Sequence, residues 1–294
     1  MPSTISQKQA SRRYRAKHRD IINSNRRVAY GKKKQKSLNK PVLVSRKLTE
    51  KFTDGRAICM YQSGNRKRIV YIKTEYDDDD DVDDGKRTIH NENAEFYQIP
   101  EEDVERVCMY ICAPNQSGKT TYVARFLEKY TKIFPDIDII LFSKLRSDPI
   151  LDVFNPHRID VYEFELDKNT LDDLSNSLVI FDDVDQIHEK QARSNILNLI
   201  NEILANGAHF NTGIIVTNHL LSDYRNTRTI LNECSSITVF PQSGSAHHLD
   251  YLLKNYIGMT PDQIKNLKQL NSRWVTIFKN YPQTVLYLHG CYLL

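Results

Sequence analysis

Residues 107–121 read Val-Cys-Met-Tyr-Ile-Cys-Ala-Pro-Asn-Gln-Ser-Gly-Lys-Thr-Thr. An apolar run gives way to a loop of small and polar residues, and Gly118-Lys119-Thr120 then opens a helical pattern. Strand, loop and helix in that order suit a phosphate-binding loop. Successive backbone N–H groups would point inward at a triphosphate, and the helix would add its positive N-terminal end. Lys119 would reach the β- and γ-phosphates, and the Thr120 hydroxyl would ligate Mg²⁺. The residues expected to hold ATP are therefore Ala113, Pro114, Asn115, Gln116, Ser117, Gly118, Lys119, Thr120 and Thr121. Phosphate loops usually begin with Gly where this chain has Ala113. The turn must open in a conformation Ala can adopt, with Pro114 fixing the next φ. The bland alternative is a chance Gly-Lys-Thr in a loop. Its position between a strand and a helix favours nucleotide binding.

A second stretch, Leu178-Val179-Ile180-Phe181-Asp182-Asp183, reads as a buried strand with two carboxylates at its C-terminal end. Asp182 would hold the Mg²⁺ shell, and Asp183 would orient or deprotonate the attacking water. An ordinary strand ending in an acidic turn is the competing reading. It is the weaker one, because the strand follows the phosphate loop by about one more βαβ unit. Asp185 reads as a helix cap or a solvated charge. A third apolar run, Gly213 to Val216, ends in Thr217-Asn218-His219. Asn218 is the candidate to touch the γ-phosphate or the lytic water. His219 is as readily a satisfied structural group.

The core that must position these residues is expected from about Phe96 to residue 250. Its strands are Val107 to Cys112, Ile137 to Phe142, Leu178 to Phe181, Gly213 to Asn218 and Ser236 to Phe240. An extended segment is also expected at Ile159 to Phe164. The first helix runs from Lys119 to Phe134 and is stopped by Pro135. Ile196, Leu199, Ile200, Ile203 and Leu204 form the stripe of a helix lying on a sheet, ended by Asn206-Gly207. A loop carrying Arg225 and Arg228 is expected after the third strand. Strands alternating with helices predict an α/β fold whose mostly parallel sheet is covered by helices.

Ahead of the core, residues 41–95 read as a β-rich extension. Its hairpin turns at Ser63-Gly64-Asn65, and its acidic run covers Asp77 to Asp81, Asp83 and Asp84. The bland reading of that run is a solvated loop rather than a cation site. Residues 251–294 are expected to add helices, one opened by Thr260-Pro261, and a hairpin at Trp274 to Phe278 and Val285 to Leu288.

The net charge of +4 hides an asymmetry. Residues 1–40 hold 13 Lys and Arg against Asp20 alone, +12, while the remainder has 28 basic and 36 acidic residues, −8. The arm has few large apolar residues and is expected to be disordered and to neutralise nucleic-acid phosphates. A localisation or solubility tail is the alternative. No apolar run approaches the roughly 18–20 residues of a membrane span, and the N-terminus does not resemble a signal peptide. Cys59, Cys108, Cys112, Cys234 and Cys291 are scattered without metal-site spacing, which suggests thiols in an intracellular reducing compartment.

With these motifs placed, the chain resembles the genome-packaging ATPases of large double-stranded DNA viruses, the poxvirus-type branch of the FtsK–HerA superfamily. The resemblance covers about residues 100–245. It rests on Ala113 to Thr121, Leu178 to Asp183, Asn206-Gly207-Ala208-His209 through Thr217-Asn218-His219, and Arg228 with Asn232. It implies a RecA-like sheet and a homo-oligomeric ring. Duplex DNA would be driven by ATP and Mg²⁺ into a capsid, with capsid proteins as partners, in a virion or infected host cytoplasm. It also implies catalysis by Lys119, Asp183 and Asn218, with an arginine from a neighbouring subunit. Arg193, Arg225 and Arg228 are the candidates. Two other functions stay open: a P-loop kinase in which Asp183 activates a substrate hydroxyl, and a nucleotide-gated DNA-binding or assembly protein with little turnover.

Overall fold

Cys108–Cys112 is buried at every position, as a strand in the middle of a sheet must be. Ser177–Phe181 and Gly213–Asn218 are buried throughout for the same reason. The computed structural model describes residues 41–48, 55–73, 86–101, 106–221 and 224–294. The chain divides into two units, and the first, residues 1–41 and 74–83, lies outside the described residues except for Pro41. The basic arm of residues 1–40 and the acidic run from Asp77 to Asp84 are thus outside what is described.

The second unit is built on a ten-stranded sheet. Its strands are β4 (Thr88–His90), β6 (Cys108–Cys112), β7 (Asp138–Ser143), β8 (His157–Asp160), β9 (Ser177–Phe181), β10 (Gly213–Asn218), β11 (Ser236–Val239), β12 (Val275–Phe278), β13 (Thr284–Tyr287) and β14 (Gly290–Leu293). Their order is β4-β14-β13-β12-β11-β6-β10-β9-β7-β8. From β11 to β8 every pairing is parallel, the RecA-like part of the sheet. From β12 to β4 every pairing is antiparallel. The C-terminal hairpin therefore extends the central sheet beside β11.

Helices cover both faces. Helix α1 (Lys119–Ile133) buries Tyr122, Val123, Phe126, Leu127 and Tyr130, one face at helical spacing. These residues meet Met109, Ile111 and Ile215 on one side of the sheet. After the helical turn α2 (Thr170–Asp173), helix α3 (Lys190–Asn206) buries Ile196, Leu199, Ile200 and Ile203 against Tyr110, Val179 and Val216 on the other. Helix α4 (Tyr224–Glu233) joins that second face, followed by α5 (Ala246–Leu252) and α6 (Pro261–Lys268). Thr260 caps α6 through a capping box with Gln263, and Pro261 follows at the first turn.

A four-stranded antiparallel sheet, β1 (Val42–Lys47), β3 (Arg66–Lys73), β2 (Arg56–Ser63) and β5 (Glu95–Gln98), lies over the outer side of α1. Its Leu43, Val70, Ile72 and Phe96 share one core with Phe126 and Leu127 of α1. Tyr61 stacks on Phe96 at 4.4 Å. The P-loop helix is thus held between two sheets.

Two expectations are corrected. The segment expected to be extended from Ile159 to Phe164 is strand only through Asp160. The Asp160 carboxylate then accepts the Tyr162 N–H and starts a turn. The loop expected around Arg225 and Arg228 is helix α4. Thr227, Ile230, Leu231 and Cys234 repeat at i, i+3, i+4 and i+7, and all are buried. Helix α3 ends at Asn206-Gly207 as expected, and Gly207, its C-cap, keeps a helical φ of −57°. It is Gly because a Cβ there would lie 2.4 Å from the Ile203 carbonyl oxygen and 2.9 Å from that of Thr212. The Arg106 guanidinium donates to the Ile203 and Thr212 carbonyls at the same corner.

All five cysteines are buried and free. Among the described residues no helix is long and apolar enough to cross a membrane.

Candidate active site

The loop leaves β6 at Ala113, which stays out of the left-handed region and donates its N–H to the Asn218 carbonyl at 3.1 Å. The turn tightens later, at Gln116 with φ 61° and Gly118 with φ 104°. Only Gly adopts φ near 104° freely. Gly118 caps α1 with no side-chain hydrogen bond, and the first turn holds no acid. The leading N–H groups of α1 therefore have no capping side chain, the state an anion needs. Ser117 is buried and Thr120 half-buried.

Lys119 is the buried cation of the site. Its Nζ donates to the Ala113 carbonyl at 2.9 Å and stands 3.2 Å from Asp183 Oδ1. Asp182 and Asp183 follow β9 directly. Asp183 takes a left-handed φ of 49°, a conformation Asp tolerates. That turn brings its carboxylate back over the sheet edge toward β10.

Strand β10 runs between β6 and β9, so its end separates the loop from the acids. Thr217 Oγ accepts the Asp183 N–H at 2.9 Å and lies 3.1 Å from Asp182 Oδ1 and 3.2 Å from Asp183 Oδ1. One hydroxyl proton thus serves two carboxylates, one at a time. His219 Nε2 stands 2.7 Å from Asp183 Oδ2. The side chain of Asn218 lies on the other face of the strand. Its Nδ2 donates to the Tyr110 hydroxyl at 3.3 Å, while its buried Oδ1 has no hydrogen-bond partner. Asp185 is neither solvated nor a simple cap. Its Oδ2 accepts the backbone N–H groups of His219 and Leu220, both at 2.9 Å, and so fixes the chain leaving β10.

Lys119, Asp182 and Asp183 lie together, with Asn218 at the end of the neighbouring strand. Thr217 and His219 touch the acids directly. No family model matches the chain. Over 213 residues it is 38% identical to the Sputnik virophage protein described as "Uncharacterized protein V3", a match spanning 72% of this chain and 86% of that protein. The chain belongs to the V3 family.

This V3-family chain is also similar to solved structures. One is the genome packaging NTPase B204 from Sulfolobus turreted icosahedral virus 2 in complex with ATP-gammaS, at 14% identity and TM-score 0.45. That match covers 63% of this chain and 97% of B204. Another is the pCW3 conjugation coupling protein TcpA with ATPgS, at 12% identity and TM-score 0.44, covering 80% of this chain and 77% of TcpA.

One residue of the V3-family loop environment lies far away in sequence. Arg273, just before β12, donates from Nη2 to the Gln116 carbonyl at 3.0 Å and packs over Gly118. No local pattern marks it, because the contact exists only once β12 has joined the sheet beside β11.

The acids also carry an electrostatic load. Burial, and then the nearby Asp183 charge, push the Asp182 carboxyl up to about 6. A carboxylate raised in the folded state favours folding while protonated. That advantage is lost as pH rises from about 4 to about 6, a cost of about 3 kcal/mol above that window. Asp182→Asn is therefore expected to stabilise the nucleotide-free protein by up to that amount at about pH 8 and to leave it unchanged at about pH 4. Urea melts at the two pH values check this. Equal shifts at both would remove the charge argument.

Proposed function

We propose that this V3-family protein is a Mg²⁺-dependent P-loop ATPase that moves double-stranded DNA, packaging viral DNA into a capsid. One observation supports hydrolysis above all: the end of β10 lies between the phosphate loop and the acid pair, with Thr217 and His219 bonded to the acids. ATP binding draws Lys119 from Asp183 toward the phosphates. Asp183 is then free to orient water, with His219 holding its second oxygen. Asn218, the sensor expected from the sequence, turns its side chain to Tyr110 on the opposite face of β10, so the contacts to the acids come from Thr217 and His219.

The donor set suits Mg²⁺. Two adjacent carboxylates, Asp182 and Asp183, lie beside a single lysine, Lys119. Mg²⁺ in nucleotide sites needs few protein ligands, because phosphates and waters complete its shell. Thr120 and Asp182 would hold the ion, which would supply positive charge to the phosphates.

DNA enters the proposal through the +12 arm of residues 1–40 and the motif resemblance to packaging ATPases. The test is the ATPase rate with and without duplex DNA, beside the mass in solution. DNA-stimulated turnover by a ring is the expected result. Phosphorylation of an acceptor would replace this function with a kinase, and tight ATP binding without turnover would replace it with a gated binding protein. A further expectation concerns the arm. Deleting residues 1–40 should lower DNA affinity and flatten the slope of log K against log salt by about 0.9 for each DNA phosphate that the arm neutralises. An unchanged slope would show that the arm does not touch DNA.

A further inference from the structure

Beside the phosphate loop lies a cleft of about 230 Å³ that neither Asp182 nor Asp183 lines. Ser117, Gly118 and Thr121 form its loop side, Tyr97 of β5 one wall, and Arg273 and Trp274 at the start of β12 another. Trp274 is the chain's single tryptophan, and it meets the Tyr122 ring edge-on at 5.0 Å. The Arg273 guanidinium carbon stands 3.7 Å from the place a Cβ on Gly118 would take, so a flat cation lies against the loop. Among the described residues no carboxylate pairs with it; its bond is to the Gln116 carbonyl.

We propose that this cleft holds the nucleoside half of the bound nucleotide, its base stacked on the Arg273 guanidinium between aromatic walls. The inference rests on the phosphate-loop reading above. Ser117, Gly118 and Thr121 belong to both the loop and the cleft, so a triphosphate held by the loop runs into the cleft without a gap. The walls recognise a ring by its face. Gln98, the buried amide in the lining, has its oxygen taken by the Tyr122 hydroxyl at 2.8 Å and its Nε2 3.5 Å from Ser236 Oγ. The Tyr122 hydroxyl is itself 2.6 Å from Thr276 Oγ, which is 2.8 Å from Thr238 Oγ. Polar groups at the floor are thus committed to one another, while the flat faces of Arg273 and the rings remain to stack.

The experiment compares ATP with inorganic tripolyphosphate, which has the phosphates and no base. In the wild-type protein ATP should change the Trp274 emission, and tripolyphosphate should bind by calorimetry while leaving that emission unchanged. Arg273→Lys keeps the charge and loses the flat face. It should weaken ATP by about tenfold, the scale of one lost base stack, and tripolyphosphate by less than about twofold. Leu288→Phe, which narrows the cleft away from the phosphate loop, should discriminate the ligands in the same direction. Equal weakening of both ligands in both variants, or ATP binding with no change in Trp274 emission, would overturn the proposal. The phosphate-loop reading would survive that result if Lys119→Ala still abolished binding of both ligands. Failure of the wild-type protein to bind either ligand would sink the phosphate-loop reading itself, and this proposal with it.

Discussion

Asp183→Asn is expected to bind ATP with Mg²⁺ as the wild type does and to hydrolyse it about 10²-fold or more slowly, the usual scale for a lost catalytic base. Lys119→Ala is expected to abolish turnover. The geometry separates the two variants. Lys119 is the buried cation beside the acid pair, so removing it takes away both the charge proposed to bind phosphate and the partner of Asp183. Asp183→Asn keeps an oxygen for the Thr217 hydroxyl but cannot take a proton from water. It also loses the charge that faces His219 at 2.7 Å. Single-turnover hydrolysis after ATP binding is the measurement. Normal single-turnover rates in Asp183→Asn would assign water positioning to another group, and His219 would be the first to test.

How much of this site can be read from the chain depends on how local each interaction is. Gly118-Lys119-Thr120 and Asp182-Asp183 are legible because each lies on one strand exit, where backbone geometry alone sets the side chains together. Thr217 and His219 are harder. Strand alternation puts both on the face opposite Asn218, but which face meets the acids depends on β10 lying beside β9. Helix α4 is legible in principle, since Thr227, Ile230, Leu231 and Cys234 carry helical spacing. Its start carries polar residues that read as a loop. The parallel core follows from its buried apolar strands. The joining of β12, β13, β14 and β4 to the same sheet does not, because antiparallel pairing partners leave no periodic trace. Arg273 is invisible for that reason, being 157 residues from the carbonyl it bonds.

The largest effect is expected from an arginine acting between subunits. In related phosphoryl-transfer systems such a residue contributes about 10³–10⁵ in rate by neutralising charge that develops in the transition state. Arg193 lies half-buried on α3, which follows the acid pair, and Arg228 is exposed on α4, which follows β10; Arg225 is on the same helix. Both helices lead from the sheet edge that carries the site. Each of these arginines can be replaced singly by Ala. The one that acts in trans should leave ATP affinity intact and lower hydrolysis by at least about 10³-fold. A salt bridge within one subunit would instead show as lost stability, visible in a melt. Mixing the arginine variant with Lys119→Ala then separates trans from cis action. In a ring, some interfaces pair an intact Lys119 from one subunit with an intact arginine from the next, so activity returns in the mixture. In a monomer no such pairing exists, and two inactive chains stay inactive at every ratio. Absence of rescue, together with a monomeric mass in the presence of ATP and DNA, would remove the ring from the proposed mechanism and favour the nucleotide-gated binding protein.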